Sequence, residues 1–81
     1  MPRSSTPDPA LASALRSLRE ASGVTREALA HRADITIGTL AHIELGQADP
    51  RWGTVRQIVS ALGVSTTFLA ASVEAVEAVE S

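Results

Sequence analysis

Leu11, Leu15 and Leu18 recur at i, i+4 and i+7, with Ala14 and Ala21 beside them, a spacing that predicts a helix. Asp8 followed by Pro9 supplies its N-cap and first helical residue, and Gly23 stops it. Thr25 caps a second helix that runs to Ala33, and Thr36 caps a third that Gly46 ends. Trp52, Val55, Ile58 and Leu62 make a fourth apolar stripe, closed by Gly63. Its start falls either at Asp49-Pro50 or at Arg51. Ser65 caps a fifth helix that begins TTFLA.

Three of these caps carry a further device. Val24 and Leu29 flank the Thr25 cap, Ile35 and Leu40 flank Thr36, and Val64 and Leu69 flank Ser65. Each pair has the spacing of a hydrophobic staple, which fixes the angle at which the chain enters the helix. No stretch reads as a strand. Five short helices with short connections predict an all-α, compact five-helix domain. The connection ADI between helices 2 and 3 is the tight turn expected of a helix-turn-helix.

The end of the chain, SVEAVEAVES, repeats Val-Glu-Ala. Leu69, Val73 and Val76 lie at i, i+4 and i+7, so the tail either continues helix 5 with one apolar stripe or is a fraying acidic helix that aids solubility. As a continued helix, that stripe is the expected dimer interface.

Composition narrows the function. The 81 residues suffice for one small domain. No apolar run is long enough to cross a membrane, MPRSSTPDP lacks the apolar core of a signal peptide, and a cytoplasmic protein is expected. Without cysteine there is no disulfide framework, thiol nucleophile or cysteine zinc site. The net charge of −2 argues at first against nucleic acid. Its distribution changes that reading: Glu74, Glu77 and Glu80 place three of nine acids in the last eight residues, so residues 1–73 carry 7 − 6 = +1. All seven basic residues are Arg and lie before residue 57.

The run from Ser17 to Ala70 resembles the Cro and phage-repressor type of helix-turn-helix domain, the XRE family. The likeness covers roughly residues 10–70 and is carried by GVTREALA, by Glu44-x-Gly46 at the end of helix 3, by the loop proline Pro50 and by ALGVS. The resemblance implies a repressor-like fold and a sequence-specific DNA-binding regulator. Helix 2 would cross the DNA backbone and helix 3 would enter the major groove, bringing Thr36, Ile37, Gly38, Ala41 and His42 to the bases. Helical spacing gives the same face independently, because Leu40 and Ile43 point to the core. The resemblance also implies an ion pair between Arg19 and Glu44. Residues 1–8 are read as a flexible N-terminal arm, 9–70 as the DNA-binding domain and 71–81 as the acidic tail. The expected partners are double-stranded DNA and a second copy of the chain. A protein-interaction or antitoxin-like adaptor using the apolar face of helix 3 is the alternative.

Two departures from the family pattern matter. Arg26 stands at the first position of helix 2, where the family often has Gln touching a phosphate. The groove positions, usually polar or basic, are here Ile, Gly, Ala and one His. Arg26 and Thr25 begin helix 2, where a bound phosphate would turn the unfavourable placement of a cation into a gain; a solvated Arg is the other reading. Arg51 either approaches the DNA backbone or pairs with Asp49. Arg32 and Arg56 read as solvated faces. His31 and His42 do not have metal-ligand spacing, and neither metal, cofactor nor small-molecule ligand is expected. No nucleophile has an evident base and no Gly-rich loop could hold phosphates, so an enzyme is not expected. Gly38 costs roughly 1 kcal/mol in a helix relative to Ala, and close approach to another surface is one reason to keep it.

Overall fold

Four of the five helices begin on a hydroxyl or carboxylate that the sequence places there. In a computed structural model that describes residues 8–80, the Glu80 side chain excepted, the elements are α1 (Pro9–Ala21), α2 (Arg26–Ala33), α3 (Ile37–Glu44), α4 (Trp52–Leu62) and α5 (Thr66–Glu80). Asp8 Oδ1 accepts from the amides of Ala10 and Leu11, at 3.0 and 3.2 Å. Thr25, Thr36 and Ser65 each accept from the amide three residues on, at 3.1, 3.0 and 3.0 Å. These bonds satisfy amides that the helix itself leaves open. The fourth helix differs. Arg51 is its N-cap, and an arginine side chain has no acceptor to offer. The expected flexible arm lies outside the described residues except for Asp8, which is ordered as the cap of α1.

The helix ends follow one geometry. Gly23, Gly46 and Gly63 all have positive φ, and so does Asp34 at φ 61° and ψ 43°. After each of them the next amide reaches back five residues: Val24 to Arg19, Ile35 to Ala30, Gln47 to His42 and Val64 to Val59. This closure satisfies the last carbonyls of the helix. In three of the four, that next residue is apolar and already the first half of the following staple. Val24, Ile35 and Val64 each pack against the core, and their partners Leu29, Leu40 and Leu69 are buried within it.

α1 packs on α5 and α3, α2 packs on α3 and α4, and α4 touches α5. Leu15, Leu29, Leu40, Ile58 and Val59 are the largest fully buried side chains. Among the described residues there is no strand, and no single helix is long and apolar enough to cross a membrane.

Two expectations need correction. Trp52 is not part of the buried stripe of α4; it is 62% exposed, and Val59 takes its place in the core. At 100° per residue Trp52 lies at the flank of an arc centred on Val55, Ile58, Val59 and Leu62. Ala21 is exposed, whereas Ala10 and Ala12 are buried. In the stripe Leu69, Val73 and Val76, Leu69 is 4% exposed and belongs to the core, while Val73 and Val76 pack against that core and keep part of their surface exposed. α5 runs without a break through the expected boundary at residue 70. The tail's first turns therefore belong to the fold.

Two outcomes follow. Ending the chain at Ala70 removes the packing of Val73 and Val76 and should lower folding stability by roughly 2 kcal/mol, read by urea unfolding. At Asp34 the left-handed backbone sets an order of stability, Asp34→Gly above the natural residue and Asp34→Ala below it, with the glycine gain about 0.5 kcal/mol.

Candidate nucleic-acid interface

The turn closed by Asp34 and the staple of Ile35 on Leu40 set α3 across α2. Leu40, Ile43 and Glu44 face inward, at 0%, 2% and 2% exposure. Outward lie Ile37, Gly38, His42 and Leu45, all exposed, with Ala41 half-buried. The face inferred from helical spacing is the face the fold presents. Thr36 is exposed, and its hydroxyl donates to Thr39 Oγ1 at 2.8 Å while accepting from the Thr39 amide. Thr39 was missed by sequence reasoning. It lines one open groove with Thr36, Gly38 and His42, and its i, i+3 relation to His42 was the available signal. A Cβ on Gly38 would meet nothing nearer than Thr36 Oγ1 at 4.0 Å, so nothing within the described residues demands glycine there.

Behind this face, one carboxylate holds three helices. Arg19 Nε donates to Glu44 Oε2 at 2.8 Å and its Nη2 donates to Oε1 at 3.1 Å, a two-pronged pair. The remaining Arg19 nitrogen, Nη1, donates to the Val24 carbonyl at 3.1 Å, fixing the α1–α2 turn. The hydrogen bond to Glu44 holds the Arg19 guanidinium above its ordinary pKa, against the opposing effect of burial. Arg26 is the unforeseen member. Its Nε donates to Glu44 Oε1 at 3.2 Å, so it is neither a free surface arginine nor committed wholly to solvent. The Glu44 side chain is 0% exposed, Arg19 12% and Arg26 36%. No buried side-chain polar atom among the described residues lacks a partner.

Thr25, beside Arg26, is exposed and engaged as the α2 cap. Arg51 is exposed at the start of α4, and among the described residues no ion pair joins it to Asp49. Arg32 and Arg56 are exposed and line a separate open cleft with Asp34. His31 and His42 are both exposed, and no three His, Cys, Asp or Glu residues among those described are grouped to hold a metal.

A family described as a helix-turn-helix domain matches residues 10–71. The chain belongs to that family. Its helix-turn-helix is α2, the Asp34 turn and α3, and two structures of the clp gene regulator ClgR from Corynebacterium glutamicum are similar to it. Both are 29% identical; one covers 84% of this chain and 88% of that chain at a TM-score of 0.80, the other 90% and 78% at 0.86. The restriction-modification controller protein C.AhdI from Aeromonas hydrophila is 24% identical, with 75% and 92% covered and a TM-score of 0.73, and bears on the fold alone. Comparison with curated proteins gives no match.

The helix-turn-helix depends on the buried pair. Glu44→Ala strands Arg19 and should cost on the order of 3 kcal/mol, whereas Arg26→Ala, at a half-exposed site, should cost under about 1 kcal/mol. Chemical denaturation of both variants checks the difference.

Proposed function

We propose that the chain is a sequence-specific DNA-binding transcriptional regulator that acts as a homodimer, with α3 in the major groove. The observation that carries this reading is the division of α3 into two faces. One is locked into the core through Leu40, Ile43 and Glu44; the other, with Ile37, Gly38, His42 and Leu45, is exposed among the described residues. The similarity to a regulator of clp genes, at 29% identity over most of both chains, supports it.

In this reading phosphates supply affinity and α3 supplies choice. Arg26 and the first amides of α2, with Thr25, take one phosphate, and Arg51 at the start of α4 takes another. Ile37 and Ala41 offer methyl groups to thymine, and His42 is the hydrogen-bonding side chain on the α3 face beyond its cap and first turn. Gly38 lets the α3 backbone approach the groove wall. Leu69 lies within the fold and has little surface for a dimer contact, whereas Val73 and Val76 keep part of theirs exposed. Trp52 at 62% exposure and Phe68 at 52% are large apolar side chains left outside the core on α4 and α5.

Gly38→Ala separates the DNA role from folding, because the two effects have opposite signs. The substitution should raise helix stability by about 1 kcal/mol and weaken binding to a selected site. In footprinting, the wild type should protect two half-sites about one helical turn apart or a multiple of that. If no duplex is bound at about 50 mM salt, where phosphate contacts are strongest, the outward face with Ile37 and Leu45 serves a protein partner instead.

A further inference from the structure

The contact between Arg26 and Glu44 uses one edge of a guanidinium and leaves the other open. Nε is spent on the buried carboxylate at 3.2 Å. Neither terminal nitrogen of Arg26 has a hydrogen-bond partner among the described residues, and the side chain is 36% exposed. Glu44 itself is fixed from behind by both prongs of Arg19. We infer that Glu44 is a positioning residue for DNA: it holds Arg26 by its inner edge so that the outer edge clamps a backbone phosphate.

The chemistry favours Arg over any other residue at position 26. Its planar fork presents donors on two edges, so it can bond a carboxylate with one and a phosphate with the other. A lysine ammonium at the same place would serve as a single point charge, drawn either to Glu44 or to the phosphate. The fixed carboxylate also removes rotamer freedom from a long side chain before DNA arrives, which lowers the ordering cost of binding. Two guanidinium groups and one carboxylate leave the cluster with net positive charge, so its anion-binding sign survives the internal pairing.

This inference rests on the DNA-binding reading, and it makes a prediction opposite in sign to simple electrostatics. Deleting a negative charge beside a DNA face should strengthen binding if only the net field matters. If Glu44 acts through Arg26, deletion should weaken it. The test measures binding of the full chain to a random-sequence duplex across a series of salt concentrations, with the folded fraction of each variant fixed by circular dichroism. Folded Glu44→Gln should bind about tenfold more weakly, with a salt slope lower by roughly one per subunit. Arg26→Ala should do the same, and the double variant should be no weaker than Arg26→Ala alone, the non-additivity of residues acting as one unit. Arg26→Lys, at a site that tolerates substitution, should be closer to Arg26→Ala than to the natural protein.

Glu44→Gln that binds as tightly as the natural chain overturns the inference, and so does a double variant with additive losses. Should Glu44→Gln fail to fold, Arg26→Lys decides: wild-type affinity there refutes the two-edge clamp. Failure of the natural chain to bind any duplex removes the DNA-binding reading and this inference together, a result distinct from the variant outcomes.

Discussion

A carboxylate with no exposed surface must find donors inside the protein, and in this chain that requirement fixes the relation of α1, α2 and α3. Glu44 ends α3, Arg19 comes from the last turn of α1, and Arg26 opens α2. The net stabilisation from such a buried pair is small, because desolvation offsets most of the attraction. Its geometric consequence is large. Any packing that slides α3 along α1 leaves a charge without a partner, a far greater penalty than a lost apolar contact. Leucine and valine side chains tolerate many arrangements; the two-pronged bond from Arg19 tolerates few.

The turns act on the same problem from the backbone side. Val24, Ile35 and Val64 each close one helix through a backward amide bond and begin the staple of the next. A single apolar side chain thus fixes both an exit angle and an entry angle. This is why helix order, the capping residues and the inward face of α3 could be read from sequence: all are set by interactions within about eight residues. The left-handed Asp34 was less visible, since aspartate more often signals an N-cap or turn than a helix end.

What was not legible depends on contacts between distant segments. Nothing local reveals that Arg26 would meet a carboxylate 18 residues away. The stripe on α5 could be recognised as apolar, but periodicity does not say whether a helix buries its stripe in its own chain or in another. Here α5 packs on α1, with Leu69 in the core and Val73 and Val76 half-buried against it. Trp52 failed for the converse reason. A tryptophan in a plausible register invites assignment to the interior, yet its place at the flank of the α4 arc keeps it outside.

The apolar composition of the α3 face bears on how a regulator of this kind would divide its binding energy. Arg contacts to phosphates carry affinity without sequence information, whereas the bidentate base contacts that discriminate most strongly require Arg, Asn or Gln in the groove. None of those residues lies between Thr36 and Leu45. Methyl contacts from Ile37 and Ala41 distinguish thymine by fit and dehydration, and they do so more weakly per position than a bidentate pair. Discrimination in the proposed complex must then draw on the deformability of the site and on simultaneous engagement of two half-sites. Both demand a rigid relation between the phosphate clamps and the reading helix. The buried carboxylate supplies that relation, because the residue that ends α3 also grips the arginine that opens α2.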